Sequence, residues 1–242
     1  MHTFHPAYGS ERYANVVRSV RGLVGFWRLD EGSGTVARDQ TGTRNGTYAL
    51  SPTRLKAVAG RPNAFGAGFN GVTSNVQVTS AAAYSPPTTG SMSWMCWTKP
   101  NDGGHTHVFS KGTTSQYEWA LMRGVLPFPT AGTGFVTYMW QAGGNFYVQA
   151  ETGTGVVPNG VWCHVVVTLT IGSALRLYVN GIQRGVSTTF VGSMTANSAQ
   201  VRVGARADGQ RFYNGDVADF AIWNRALTAG EAMSLYVEGL RP

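Results

Sequence analysis

The chain is 242 residues long, with 43% hydrophobic and only 13% charged residues, a balance that excludes a disordered tail and allows one large or two small folded domains. Its formal net charge is +7, yet the basic residues are scattered and form no run, which argues against a dedicated nucleic-acid groove. No apolar run reaches the roughly 18 to 20 residues of a membrane span, and Met1-His2-Thr3-Phe4-His5-Pro6 has no apolar signal core, so neither membrane insertion nor classical secretion is expected.

Residues 1–10 read as an arm. Tyr13, Val16, Val17 and Val20 then recur at i, i+3, i+4 and i+7, which predicts a short helix that packs on the domain or reaches a neighbouring subunit. The expected division is an arm with its helix over residues 1–21 and a single β domain over residues 22–242. From Gly22 onward short apolar runs alternate with glycine and asparagine. Residues 23–29 form a predicted strand, ended by Glu31-Gly32-Ser33-Gly34, and Asn45-Gly46 is a tight-turn signal. Further strands are predicted at 76–78, 91–97, 107–110, 118–122, 135–141 and 145–150. Residues 162–169 and 175–179 lead through Asn180-Gly181 into Ile182-Gln183-Arg184, the clearest hairpin, and 200–204 and 216–223 follow. Strands at this density, with no long helical pattern between them, predict an antiparallel sandwich or barrel. Thr228-Ala229-Gly230-Glu231 is a capping box opening a last helix, with Ala232, Leu235 and Tyr236 on its buried side.

Several stretches, in this order, resemble the laminin-G-like group of the concanavalin A-like lectin/glucanase superfamily. They are Gly25-Phe26-Trp27-Arg28-Leu29-Asp30-Glu31-Gly32-Ser33-Gly34, Asp39 with Asn45-Gly46-Thr47-Tyr48, Phe69-Asn70-Gly71, residues 91–99, and Gly160-Val161-Trp162-Cys163-His164-Val165. Leu177-Tyr178-Val179-Asn180-Gly181, Gly215-Asp216-Val217-Ala218-Asp219-Phe220 and Ile222-Trp223-Asn224-Arg225-Ala226-Leu227-Thr228 complete the set. The resemblance implies an all-β, antiparallel jelly-roll β-sandwich. Tyr13-Ala14-Asn15-Val16-Val17, leading into Phe26-Trp27-Arg28-Leu29, also looks like copies of this domain in tailed-bacteriophage proteins.

Glucanase relatives carry Glu-x-Asp-x-x-Glu on one strand, and no such pattern occurs. Asp216 and Asp219 stand three apart, on opposite faces of a strand unless a bulge intervenes, and the neighbours Asp30 and Glu31 point apart. Cys163 and His164 are neighbours and cannot pair as nucleophile and base, while His105 and His107 share a face in a glycine-flanked loop, with the chemistry of an exposed loop rather than of a metal site. No enzyme is expected. Cys96 and Cys163 read as buried thiols, with a disulfide open if their strands are neighbours. The resemblance implies a structural Ca²⁺ as the one cofactor to seek, with Asp39, Asn70 and Asp219 as its weak ligand candidates; Asn70 stands where Asp is commoner. Tyr138, Trp140, Phe146, Tyr147 and Tyr213 are the aromatics that could stack on a sugar, whereas Trp27, Trp94, Trp97, Trp162 and Trp223 are assigned to the core. Two functions follow. The first is a multi-copy virion component, a capsid decoration or a tail or fibre protein made in the host cytoplasm, with other virion proteins and host glycans as partners. The alternative is a calcium-assisted carbohydrate-binding or adhesion module at a cell surface or outside the cell.

Overall fold

The computed structural model describes residues 7–50, 52–55, 65–86, 90–113, 116–126, 130–140, 147–188 and 196–241. Helix α1 (Ala7–Ser19) precedes strands β1 (Leu23–Trp27), β2 (Val36–Ala37), β3 (Gly46–Ala49), β4 (Thr53–Leu55), β5 (Gly66–Asn70) and β6 (Asn75–Val78). The longest strands come next: β7 (Ser91–Pro100), β8 (Thr106–Thr113), β9 (Gln116–Val125) and β10 (Thr130–Trp140), followed by β11 (Tyr147–Glu151). Strands β12 (Cys163–Thr170), β13 (Ala174–Val179), β14 (Ile182–Ser187), β15 (Val201–Val203) and β16 (Asn214–Trp223) lead to helix α2 (Ala229–Leu240).

Two antiparallel sheets pack into a jelly-roll sandwich. The first runs β14-β13-β12-β7-β16-β5-β4, with β1 also on β16, and the second runs β11-β10-β9-β8-β15-β6-β3-β2. Period-two alternation explains the core. On β7, Met92, Trp94 and Cys96 face the second sheet, while Met95 and Trp97 face outward. The same split divides β12 and β16: Val165, Val167 and Ile222 point inward, Val166, Ala221 and Trp223 outward. Between the sheets Trp27 stacks on Phe220 at 5.6 Å between ring centres, and Trp94 lies 5.1 Å from Trp119.

The outer face of the first sheet is sealed by the two helices. Tyr13, Ala14 and Val17 of α1 and Ala232 and Leu235 of α2 bury against Met95, Trp97, Val166 and Trp223. The Tyr13 hydroxyl donates to Met95 Sδ (3.6 Å) and accepts from Trp97 Nε1 (3.1 Å), and Arg12 pairs with Glu238 between the helices. The predicted helix therefore packs on its own domain. Residues 1–6 of the expected arm lie outside the described residues. At α2 the capping box forms in both directions, Glu231 N to Thr228 Oγ1 at 3.1 Å and Thr228 N to Glu231 Oε2 at 2.8 Å.

Asn180-Gly181 makes its hairpin turn, both residues having positive φ (51° and 76°), the geometry that such pairs favour. Asn45-Gly46 does not turn. Gly46 begins β3, opposite Ala37 and Val78, and a side chain there would press on Val76 and Val78 at 3.0 Å. The reversal is made earlier by Asp39, whose carboxylate accepts from Thr41 N, Thr43 Oγ1 and Arg44 N, with Gly42 at φ 76°. Cys96 and Cys163 do lie on neighbouring strands, but Cys96 is opposite Val165 and Cys163 opposite Thr98, so they sit diagonally and both are free. Burial pushes the Cys163 thiol up to about 12.

Candidate functional site

With the first sheet covered, the outer face of the second sheet is the one that carries unusual chemistry. On β10, Phe135 and Met139 point into the sandwich, which leaves Val136, Tyr138 and Trp140 on the outer face. Cross-strand register brings Tyr138 opposite Ala120 of β9 and Gln149 of β11, and places Met122 opposite both Val136 and His107. Tyr117 joins them, with ring centres 5.6 Å from Tyr138 and 6.1 Å from Trp140. His107 Nε2 and the Tyr138 hydroxyl share a hydrogen bond of 2.8 Å, and the His105 ring lies 6.2 Å from that of His107.

The loop between β15 and β16 closes over this face. It is a tight turn held by Arg206 N to Gln210 O and Gly209 N to Arg206 O, both 2.8 Å, and it is pinned to β8 through His107 N to Arg211 O at 3.0 Å. Ala207 packs on the aromatic cluster, while Arg206 grips Asp208 through Nε (2.9 Å) and Nη2 (2.6 Å). Tyr117, Tyr138 and His107 are consequently buried, Trp140, Gln149, His105 and Arg206 half-buried, and Arg211 exposed.

Burial drives the ionisation of this cluster. Desolvation raises Tyr138 well above the usual phenol value, and lowers His107 well below the usual imidazole value. His105 is lowered to about 4, by burial first and then by Arg211 and Arg206. A histidine held neutral when folded and free to protonate when unfolded favours unfolding in acid. Its stabilisation is complete above the ordinary value of 6.5 and is lost as pH falls toward about 4. Urea midpoints measured across this window should fall steadily, and the His105→Gln variant should show a shallower slope; an unchanged slope would mean that water reaches the imidazole.

The five expected sugar-stacking aromatics separate. Trp140 reaches the surface of this face, and Tyr138 belongs to it but is 4% exposed, so it supports the face from beneath. Tyr213 is fully buried in the inter-sheet core with its hydroxyl 2.7 Å from Thr98 Oγ1, because β16 enters the sandwich there; it is a core residue and not a surface ring. Phe146 lies outside the described residues, and Tyr147 is placed by its backbone opposite Trp140. Trp27, Trp94, Trp97, Trp162 and Trp223 are all buried. Tyr117, Gln149, Arg206 and Arg211 were not singled out as site residues by their sequence, and His107 only as half of a histidine pair, since only the register of β8 to β11 and the fold of the 204–213 loop bring them together.

Two of the three calcium candidates, Asn70 and Asp219, stand apart. Asn70 is opposite Asn214 at the start of β16, and the five residues of strand from there to Asp219 span about 16 Å. Asn70 Oδ1 accepts from Val72 N, Thr73 N and Ser74 N, so it shapes its own turn, as Asp39 does. Among the described residues no group of three or more His, Cys, Asp or Glu side chains stands close enough to hold a metal. His107 is not in an exposed loop, since β8 begins at Thr106 and buries it, while His105 lies half-buried in the loop just before the strand.

The carboxylates weighed for catalysis divide into Asp216 on one side and Asp30, Glu31 and Asp219 on the other. Asp216 pairs with Lys99 at 2.6 Å. A bulge between Ala218 and Ala221 does occur, and it puts Asp219 at φ 54° near Asp30. Burial first, then Asp219 and Glu31, raise the Asp30 carboxyl, and Arg28 opposes them from 2.7 Å.

No curated protein matches the chain. Among solved structures it is similar to the binding domain of Paraclostridial mosquitocidal protein 1, with a TM-score of 0.71 at 12% identity, over 89% of this chain and 52% of that one. It is similar to domain 4 of AbnA, an extracellular arabinanase from Geobacillus stearothermophilus, in complex with arabinotriose, with a TM-score of 0.67 at 18% identity, over 88% of this chain and 98% of that one. It is also similar to the binding domain of botulinum neurotoxin DC in complex with SialylT, with a TM-score of 0.68 at 14% identity, over 90% of this chain and 51% of that one. The chain thus spans about half the length of the toxin binding domains that it matches. Identities this low establish the shared fold. Residues 69–233, most of the chain, match the laminin-G-like family model, and the protein belongs to the concanavalin A-like lectin/glucanases superfamily.

Proposed function

We propose that the chain is a non-catalytic carbohydrate-binding module that takes its ligand on the outer face of the second sheet, on Trp140, which the buried Tyr117 and Tyr138 support from beneath. The observation that carries this reading is the asymmetry of the sandwich. One outer face is sealed by α1 and α2, whereas the other presents an aromatic cluster whose edge reaches solvent beside polar side chains. Pyranose and furanose rings present apolar C–H faces that pack on aromatic rings while their hydroxyls pair with side chains such as Gln149 and Arg206. The arabinanase domain solved with arabinotriose and the neurotoxin domain solved with SialylT support a binding role on this fold.

Catalysis is not part of the proposal. Hydrolysis of a glycosidic bond requires two carboxylates flanking the sugar, one tuned as an acid. The nearest approach to such a pair is Asp30 beside Asp219, but Asp30 is engaged by Arg28, and the aromatic cluster belongs to the other sheet. The same binding activity could serve on a virus particle, and immunogold label at regular positions on particles would add that role; label confined to cell envelopes would refute it.

The direct test is titration calorimetry with arabino-, galacto- and gluco-oligosaccharides. Trp140→Ala should weaken binding about tenfold or more, as loss of a central aromatic anchor does, with the melting temperature confirming that the variant is folded. Absence of binding to every sugar, or binding indifferent to Trp140→Ala, would overturn the assignment of this face.

A further inference from the structure

The loop over the aromatic face carries three charges, Arg206, Asp208 and Arg211, and they do not cancel evenly. Asp208 is committed: both its oxygens are held by Arg206, and Oδ1 also accepts from Gln210 N at 3.1 Å. Arg211 is exposed, and its guanidinium makes no hydrogen bond or ion pair among the described residues. Its backbone, by contrast, is fixed, with φ at 51° and its carbonyl bound by His107 N. A side chain anchored in the left-handed region outside glycine is uncommon and persists where its surroundings impose it.

The Arg211 carbonyl is hydrogen-bonded to His107 N, so the loop that carries the surplus cation lies on this face, and the charges of Arg206 and Arg211 act on Tyr117, Tyr138, His105 and His107. Two buried polar atoms of the same cluster, Gln149 Oε1 and His107 Nδ1, have no hydrogen-bond partner. Buried polar atoms are almost always paired; His107 lies beneath the surface, whereas Gln149 is half-buried and a small rotation of its amide would offer it to a ligand hydroxyl.

We infer that the ligand is an acidic saccharide, whose ring lies against Trp140 and whose carboxylate is received by Arg211. The inference rests on the binding face proposed above and names the ligand class for it. A guanidinium suits this task because its planar fork can give a carboxylate two parallel hydrogen bonds. The neutral His105 alongside adds no competing charge above pH of about 4.

Matched ligand pairs test it: trigalacturonate against its methyl ester, and 3′-sialyllactose against lactose, each titrated into the full chain. The acidic member of at least one pair should bind about fivefold more tightly at low salt. That preference should vanish in Arg211→Gln, survive in part in Arg211→Lys, and collapse near about 1 M salt, where the Debye length is about 3 Å. Equal binding of acidic and neutral members, with both lost in Trp140→Ala, would overturn the ligand class and leave the binding face standing. Failure of acidic and neutral sugars alike would remove the face itself.

Discussion

Replacing Glu118 with glutamine should lower the unfolding free energy by about 3 to 5 kcal/mol. Lys111 and Glu118 face each other across β8 and β9, and their side chains are 0% and 1% exposed. Lys111 Nζ donates to Glu118 and to Asn197 O (2.7 Å), and Asn197 N donates to Glu118 Oε1 at 2.6 Å. The pair thus fastens the segment before β15 to the hairpin. Removing the carboxylate strands a buried ammonium, which must either remain charged without a counter-ion or give up its proton. Burial already lowers the lysine, and Glu118 is what holds it up. A lysine depressed in the folded state loses stability as pH falls below its unfolded value of 10.5, so both proteins should gain stability as pH rises toward 10.5, the variant more steeply because it lacks the carboxylate that holds the lysine up. Urea denaturation across alkaline pH reads both effects. A cost below about 1 kcal/mol with no pH dependence would mean that the pair is solvated. The double replacement Lys111→Met with Glu118→Leu should recover most of the loss, because a buried pair must first repay its own desolvation.

Arg123→Met should cost about 3 kcal/mol or more, for a different reason. This guanidinium is fully buried, and its contacts are oxygens of uncharged groups: Asp102 O (3.1 Å), Gly134 O (3.3 Å), Val157 O (2.7 Å) and Asn159 Oδ1 (2.7 Å). It also lies 5.5 Å from the centre of the Phe135 ring. Unlike lysine it cannot discharge itself, so these oxygens serve as its solvent, and it ties the turn after β7 to the connection between β11 and β12. Methionine fills the volume but leaves the four oxygens without their donor. Arg123→Lys keeps the charge and loses the fork, and should fall between the two. Thermal melts measure the loss, and amide exchange should rise first at residues 101–104 and 155–160. Exchange that rises evenly across the chain would show that Arg123 has no special hold on these loops.

Neither buried cation announced itself. Lys111 lies in an ordinary alternating run, and nothing in its neighbours distinguishes a buried lysine from a solvated one. Arg123 follows Leu121-Met122, where a strand end would ordinarily reach water. Their burial depends on segments about 35 to 85 residues away, Val157 and Asn197, whose approach is decided by how the chain crosses the sandwich.

The site was legible in the same partial way. Period-two alternation correctly separates Phe135 and Met139 from Tyr138 and Trp140, but it does not say which side of a strand will be covered. Tyr213 illustrates the gap: beside Asn214-Gly215 it reads as a loop aromatic, yet it is a core residue hydrogen-bonded to Thr98. Asn45-Gly46 illustrates the converse, a strong local turn preference overridden because Gly46 is needed where β3 lies close to Val76 and Val78. Asp39, Asn70 and Asp219 each sit in a motif of the family, but a shared cation demands that they converge, and the strand rise along β16 keeps two of them apart.

What the sequence by itself determined was everything set by neighbours along the chain. The alternation of β7, β12 and β16 with apolar residues on both faces, the Asn180-Gly181 hairpin, the Thr228–Glu231 capping box and the order of the laminin-G-like motifs are all local, and each follows from backbone geometry within a few residues. What only the tertiary structure decided was which faces are closed and which charges meet. The helices α1 and α2 close the first sheet, the 204–213 loop half-closes the second, and His107, Tyr117, Tyr138, Gln149 and Arg211 come together from four strands and a loop. Local preference is a property of a dozen atoms, whereas burial and charge pairing depend on non-local contacts. Those contacts form only once the whole chain has paid the entropy of closing long loops.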